Sequence, residues 1–266
     1  MATPNFKSVR EANPTRSYAF YGPSGTGKTT IAGSFPKPIL FIDINDQGTD
    51  SVLELDEDEA KVLQPEDFDA LEECYWYLVK GDHPFKTVVI DTITEMQTLY
   101  IQHLLKQKDR KVDDIGSWGA LKLQEWGEVS GAMNSWITHF RNLPVEVIFN
   151  AQQRIFNRPG DEEDDYDEYE EAEEVIVPEV GPRLIPSVKD HLNAMVSVLG
   201  STFIRRRYKE VKKGNKKVKV KKDEYCLRVG PNPYYATKLR KPKAVDLPEV
   251  IVDPTYDEIL EVIQGE

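Results

Sequence analysis

The sequence predicts an α/β fold in which a mostly parallel sheet carries a phosphate-binding loop. Short apolar runs of strand character alternate with segments of helical spacing, a glycine-rich loop joins the first such run to a helix, and two later runs end in an acid. Parallel strands need crossover connections, which are usually helices, so the alternation favours a parallel sheet. We therefore predict three layers, with helices on both faces of the sheet.

The first element is the phosphate-binding loop. Residues 22–29 read Gly-Pro-Ser-Gly-Thr-Gly-Lys-Thr and match the pattern G-x-x-x-x-G-K-[ST]. The run 17–21 before the loop predicts a strand, and residues 30–35 can open a helix, which is the context that the motif requires. Glycine backbone turns successive amide groups toward a phosphate, and the helix N-terminus adds partial positive charge. The predicted nucleotide-binding residues are Gly22, Pro23, Ser24, Gly25, Thr26, Gly27, Lys28, Thr29 and Thr30.

Two later side chains complete the predicted chemistry of the loop. Lys28 supplies a point charge to the terminal phosphates, and the hydroxyl of Thr29 is placed to coordinate Mg²⁺. Asp91 ends the apolar run 87–91, which is typical of a Walker B carboxylate that holds Mg²⁺ through water. An aspartate at a strand end is also a common helix cap, which is the alternative interpretation. ATP and Mg²⁺ are the predicted cofactors.

The remaining elements follow in order along the chain. Apolar runs predict strands at 38–43, 145–150 and 194–199, and helical spacing predicts helices at 66–80, 96–104, a segment ending near 141, 187–193 and 255–263. Gln152 follows the strand 145–150, where its amide is placed to sense the γ-phosphate; a polar loop residue is the alternative. The sequence has no internal repeat and no clear linker, so we predict one domain over residues 1–266.

Composition predicts a folded cytoplasmic protein with no membrane partner. The chain has 266 residues, of which 39% are hydrophobic. No stretch approaches the roughly 18 apolar residues of a membrane span, and the first residues lack the apolar segment of a secretion signal. Cys74 and Cys226 are the two cysteines, far apart in the sequence, so neither a disulfide framework nor a zinc site is indicated.

Charge is distributed unevenly around a net charge of −12. Residues 161–174 hold eleven carboxylates and predict a disordered loop, whereas residues 205–222 hold eleven cations against Glu210. Alternation on both sides of a Gly-Asn turn predicts a protruding basic β-hairpin over 203–227. The hairpin could track single-stranded nucleic acid, protect a sheet edge as a solvated hairpin, or pair with the acidic tract. The predicted DNA-binding residues are Arg205, Arg206, Arg207, Lys209, Lys212, Lys213, Lys216 and Lys217.

These motifs together resemble one family of P-loop proteins. The ordered set is Tyr21–Thr30, Leu40–Asp43, Val88–Thr92, Phe149–Arg154 and Tyr235–Arg240. Over residues 15–245 the chain resembles the phage nucleotide-binding ATPases with a short RecA-like core, grouped with the phage single-strand annealing and strand-exchange recombinases. The resemblance implies a homo-oligomeric ATPase that binds single-stranded DNA and holds ATP at the subunit boundary. It also implies functional loops at about 106–119 and 154–184.

The resemblance assigns further roles and exposes two departures. It implies that Lys238 and Arg240 reach ATP held by the adjacent subunit, where an exposed turn is the alternative. RecA-like enzymes carry a glutamate after the second strand that polarises the attacking water. Alignment of this chain with that pattern places Asn45 at the glutamate position, and a shift by one residue places Asp46 there. Glu95 is a weaker candidate for the same role. The acidic tract is the second departure, since its carboxylates would repel DNA within the loop expected to bind it.

The sequence predicts an ATP-hydrolysing recombination protein that binds single-stranded DNA and promotes annealing or strand exchange. Its expected partners are single-stranded DNA, further copies of itself and a single-strand-binding protein. The alternative function is a nucleotide-gated adaptor or replication-protein loader that hydrolyses ATP weakly and acts through protein contacts. The basic hairpin, Lys238 and Arg240 favour the recombination protein, whereas Asn45 and the acidic tract favour the adaptor.

Overall fold

The computed structural model describes residues 6, 15–45, 47–108, 121–159, 176–213 and 216–265. At residues 158–159, 176–177, 209–213 and 216–220 it describes the backbone alone. Asp46, the acidic tract 161–174 and most of the predicted loop 106–119 lie outside the described residues.

The main sheet is mixed, with parallel strands at its centre. Its strands are β1 (Ser17–Tyr21), β2 (Ile39–Asp43), β3 (Ala60–Leu63), β4 (Thr87–Asp91), β5 (Glu146–Ala151), β8 (Val198–Lys213), β9 (Lys216–Arg228), β10 (Lys238–Leu239) and β11 (Val250–Val252). Their order across the sheet is β11-β9-β8-β1-β5-β4-β2-β3, and β10 pairs with β8. All neighbouring pairs from β8 to β3 are parallel, while β9, β10 and β11 pair antiparallel. The helices are α1 (Lys28–Gly33), α2 (Phe68–Val79), α3 (Ile93–Gln107), α4 (Leu123–Arg141), α5 (Pro186–Met195) and α6 (Tyr256–Gln264).

The central strands are buried on both faces, which creates two hydrophobic cores. Alternate side chains of a strand point to opposite faces, so Tyr18 and Phe20 of β1 enter one core and Ala19 and Tyr21 enter the other. The first core packs against α1 and α6, and the second packs against α2, α3, α4 and α5. The predicted three-layer α/β class with a mostly parallel sheet is therefore confirmed.

A second, two-stranded sheet follows β5. β6 (Gln153–Pro159) and β7 (Ile176–Pro182) pair antiparallel, where the sequence indicated only a loop over 154–184. Contacts within the chain hold this ribbon on the core. Lys189 of α5 donates to Glu179 at 2.7 Å, and the Tyr21 hydroxyl shares its proton between the carbonyl oxygens of Val180 at 3.0 Å and Ala236 at 2.8 Å.

The predicted hairpin is present as β8 and β9. The two strands pair continuously from Ser201 opposite Arg228 to Lys213 opposite Lys216. Its first residues extend the main sheet, since β8 also pairs with β1. Among the helices within the described residues, none is both long enough and apolar enough to span a membrane.

Candidate nucleotide site

The phosphate-binding loop joins β1 to α1 at the carboxyl edge of the sheet, as the motif requires. Gly27 has a φ of 90°, in the left-handed region that other residues rarely adopt, so the third glycine of the motif is needed for the shape of the loop. Lys28 is buried, and its ammonium donates to the carbonyl oxygens of Gly22 at 3.2 Å and Pro23 at 3.0 Å. Backbone carbonyls at the start of the loop therefore hold the ammonium group in place.

Thr29 and Asp91, the two residues predicted to serve Mg²⁺, are in contact. The Thr29 hydroxyl donates to Oδ2 of Asp91 at 2.7 Å, although 62 residues separate them. The helix-cap interpretation of Asp91 is not needed, because α3 is capped by Thr92, whose hydroxyl accepts from the backbone of Glu95 at 3.2 Å. Asp91 is buried at the strand end, beside the loop.

The residues around this pair fit a Mg²⁺ ion. Hydroxyl and carboxylate oxygens are the donors that Mg²⁺ prefers, and its protein sites use one or two of them beside substrate phosphates. Gly48 leaves room next to them, since a Cβ at that position would lie 3.0 Å from Oγ1 of Thr29 and 3.2 Å from Oδ2 of Asp91. Within the described part of the chain, no group of three or more His, Cys, Asp or Glu side chains is arranged to hold a metal.

Sequence reasoning missed two polar residues at this edge. Asp43 and Asp91 end β2 and β4, and Asn150, one residue before the end of β5, is in register with them. Asn150 donates to Oδ2 of Asp91 at 3.1 Å, so it orients the carboxylate. Asp43 accepts from the hydroxyl of Thr49 at 3.1 Å and thereby anchors the segment that carries Gly48. A buried polar residue at the end of an apolar run is the signal that could have identified both.

A cleft of about 750 Å³ opens over the loop. Seven of the nine predicted nucleotide residues line it, from Ser24 to Thr30, and Gly22 and Pro23 act through the carbonyls bonded to Lys28. The other lining residues come from three places: α1, the segment 47–54, and a wall made of Tyr225 with residues 253–255. Tyr225 belongs to β9 and so to the basic hairpin that the sequence predicts over 203–227.

Gln152 and Glu95 lie beside a different cleft. Gln152 accepts from Arg183 at 2.9 Å, and its backbone amide donates to the hydroxyl of Thr94 at 3.1 Å. Glu95, in the first turn of α3, lines a second cleft of about 600 Å³ together with Arg183 and Arg154. Its carboxylate therefore does not line the nucleotide cleft.

Lys238 and Arg240 contact their own chain. Lys238 donates to the carbonyl oxygens of Asn193 and Ala194, each at 2.8 Å, and Arg240 donates to Ala194 at 2.9 Å. These carbonyls belong to the last turn of α5, where cations are favourable. Desolvation, together with the charges of Arg240 and Arg141, lowers the pKa of the Lys238 ammonium. Their predicted action on a neighbouring subunit remains a prediction.

The three arginines predicted to bind DNA are paired with acids of β9. Arg205 and Arg207 contact Glu224 at 3.0 Å and 3.3 Å, and Arg206 contacts Asp223 at 3.1 Å. The hydrogen bond from Arg205 is the main cause that lowers the pKa of the Glu224 carboxyl. Both acids lie just beyond the 205–222 segment, so a charge count over that segment overestimates the positive charge at the base of the hairpin.

The comparison with family models agrees with the class of this site. The profile of the AAA domain family matches residues 15–240. Among solved structures, a KaiC-like protein from the archaeon Pyrococcus horikoshii OT3 is 12% identical with a TM-score of 0.41, covering 90% of this chain and 89% of its own. The flagellar accessory protein FlaH from Methanocaldococcus jannaschii is 8% identical with a TM-score of 0.37, covering 90% of each chain.

A search of curated proteins found no significant match. The family profile covers most of the chain and includes the phosphate-binding loop, Asp91 and Asn150. The chain therefore belongs to the AAA domain family of P-loop nucleotide-binding proteins.

Proposed function

We propose that this protein hydrolyses ATP and uses it to control binding of single-stranded DNA, promoting annealing or strand exchange in recombination. One observation carries the proposal. Tyr225 of β9 lines the cleft over the phosphate loop, and β9 is also a strand of the basic hairpin. A bound nucleotide and the hairpin would therefore share a structural element.

The residues of the phosphate-binding loop support the proposal that the protein hydrolyses ATP. Lys28 brings a positive charge to the terminal phosphates, and the loop amides provide further donors that stabilise charge on a transferred phosphoryl group. Thr29 and Asp91 are the residues that would hold Mg²⁺, which when bound neutralises phosphate charge. Asn150 holds the Asp91 carboxylate in place through its 3.1 Å bond.

The site as described favours a contribution from a second subunit. Lys28 is the only cation among the described residues that line the nucleotide cleft. Lys238 and Arg240 are the proposed source of additional charge, delivered to the cleft of an adjacent copy of the chain. Such a contribution would couple hydrolysis to assembly, because an isolated subunit would lack it.

The DNA-binding part depends mainly on lysines. Arg205, Arg206 and Arg207 already have carboxylate partners, so a phosphate backbone would have to compete for them. The lysines beyond them continue the same two strands, and a strip of cations with interleaved aromatic residues suits single-stranded nucleic acid. Tyr208 is such a residue, with 67% of its surface exposed.

The test is the salt dependence of DNA binding. We would measure binding of a single-stranded oligonucleotide by fluorescence anisotropy at several salt concentrations, with a non-hydrolysable ATP analogue. Replacing Lys212, Lys213, Lys216 and Lys217 by Ser removes up to four phosphate contacts, so the slope of log affinity against log salt should fall by up to about 3.

The matched control removes four exposed lysines elsewhere: Lys61, Lys80, Lys86 and Lys243. This variant has the same net charge and should keep most of the slope. An equal loss of slope in both variants would mean that net charge alone governs binding. An unchanged slope in the hairpin variant would place any DNA site outside the hairpin.

A nucleotide-gated adaptor with weak hydrolysis is the second candidate function. It is favoured by Asn45, which one register of the sequence places where RecA-like enzymes carry the water-polarising glutamate. ATP turnover with and without single-stranded DNA separates the two functions. Stimulation by DNA supports the recombination protein, and negligible turnover under both conditions supports the adaptor.

A further inference from the structure

We propose that Tyr225 and the segment 253–255 form the base-binding end of the nucleotide cleft, so that the root of the hairpin recognises the nucleobase. The inference rests on the proposed nucleotide binding and identifies which part of the ligand each wall contacts. The ligand class is a nucleoside triphosphate whose base stacks on Tyr225.

Tyr225 lies against the phosphate loop. Its Cδ1 atom is 3.3 Å from the position that a Cβ on Gly27 would occupy. About half of the side chain is exposed, with a fractional exposure of 47%, and the residue lines the cleft. A half-exposed ring beside a phosphate site offers an apolar face on which a base can stack.

The segment 253–255 forms the rest of this wall and is fixed from two sides. The backbone amide of Asp253 donates to the carbonyl of Tyr225 at 2.7 Å, which ties the segment to β9. The amide of Tyr256 donates to the hydroxyl of Ser34 at 2.9 Å, and its ring packs on Phe35 with centroids 4.7 Å apart. The wall is therefore held between the hairpin root and the end of α1.

The distribution of charge orients the ligand within the cleft. Lys28 and Thr29 mark the phosphate end, beside the buried Asp91. Glu54 and Asp253 also line the cleft, and its described lining residues include no cation other than Lys28. Carboxylates disfavour further phosphate but accept hydrogen bonds from ribose hydroxyls and exocyclic amines. The aromatic and acidic part of the cleft thus suits the nucleoside.

The test compares ATP with inorganic tripolyphosphate, which has the phosphates but no base. Calorimetry with Mg²⁺ would measure both affinities in the parent protein and in Tyr225→Ala. Loss of stacking should weaken ATP binding by about tenfold and leave tripolyphosphate binding unchanged. Tyr225→Phe keeps the ring and should bind ATP as the parent does.

Tyr77→Ala is the matched control. Tyr77 lies in α2 and is 46% exposed, close to the exposure of Tyr225, and it is not among the described residues that line the nucleotide cleft. Its removal should leave both affinities unchanged.

Two results would overturn the assignment. If Tyr225→Ala bound ATP as tightly as the parent, the base would lie elsewhere. If it lost ATP and tripolyphosphate equally, Tyr225 would act only by supporting the loop. Failure of the parent to bind ATP at all is a separate outcome, which would overturn the proposed function as well.

Discussion

Lys28 of the phosphate loop and the pair Lys238 and Arg240 differ in what determines the positions of their charges. Lys28 bonds to carbonyls five and six residues before it, so its position follows from the loop that contains it. Lys238 and Arg240 bond to the end of α5, about 45 residues away in the chain. The motif around Lys28 therefore defines its role. The role of Lys238 and Arg240 depends on which group the folded chain, or a second copy of it, brings into contact with them.

The largest expected effect is at Lys28. Lys28→Ala removes the only cation among the described residues that line the nucleotide cleft. ATP hydrolysis should therefore become undetectable and ATP affinity should fall. Steady-state phosphate release and calorimetry would measure the two effects. Lys86→Ala, at an exposed lysine before β4, should keep both parameters. Unchanged turnover in a folded Lys28→Ala protein would contradict the assignment.

The next effect tests whether Lys238 and Arg240 act across a subunit boundary. Arg240→Ala should lower turnover by about 10³-fold if the guanidinium stabilises phosphoryl charge in a neighbour. Mixing this variant with Lys28→Ala should then restore activity, because some boundaries combine an intact loop with an intact Arg240. If the mixture were as inactive as its components, Lys238 and Arg240 would not act across the boundary, and their role would be to bind the end of α5 in their own subunit.

A smaller effect concerns the residue that orients the attacking water. Asp46→Asn should slow hydrolysis by at least about 10²-fold with ATP still bound, which is the usual size of a general-base effect. Glu95→Gln should have little effect, because Glu95 lines the second cleft rather than the nucleotide cleft. Single-turnover kinetics would rank the two variants, and the reverse ranking would transfer the role to Glu95.

The smallest predicted effect is at Gly48. A methyl group there would lie 3.0 Å from Oγ1 of Thr29, so Gly48→Ala should raise the Mg²⁺ concentration needed for half-maximal turnover about tenfold. The control is Gly131→Ala in α4, where a Cβ meets nothing within 4 Å. This change should leave the Mg²⁺ requirement unaltered and raise stability by roughly 0.5–1 kcal/mol.

The parts that the sequence predicted correctly are those defined by local pattern. The phosphate loop, the strand that ends in Asp91 and the alternating hairpin each depend on residues adjacent in the chain. The place of Asn150 at the end of an apolar run could mark it as a candidate, but its bond to Asp91 could not be predicted, because that bond forms only when β5 lies beside β4. The pairing of Arg205 with Glu224 was missed for the same reason, since it depends on the register between two strands.

The ribbon of β6 and β7 shows a different limit. The resemblance implies only a loop over 154–184, yet backbone pairing and contacts such as that between Lys189 and Glu179 hold two strands there. A two-stranded ribbon is marginal alone and needs packing against the rest of the fold. Because these tertiary contacts stabilise the ribbon, its strands do not need the regular alternation of apolar and polar residues by which a strand is predicted from sequence.

The Tyr21 hydroxyl links three parts of the chain that are far apart in sequence. Tyr21 is the last residue of β1 before the phosphate loop, Val180 belongs to β7, and Ala236 lies two residues before Lys238. Burial raises the pKa of the Tyr21 phenol, so the proton that makes this link stays in place throughout the physiological range. The hydroxyl therefore joins the strand that precedes the phosphate loop to the ribbon and to the segment that carries Lys238.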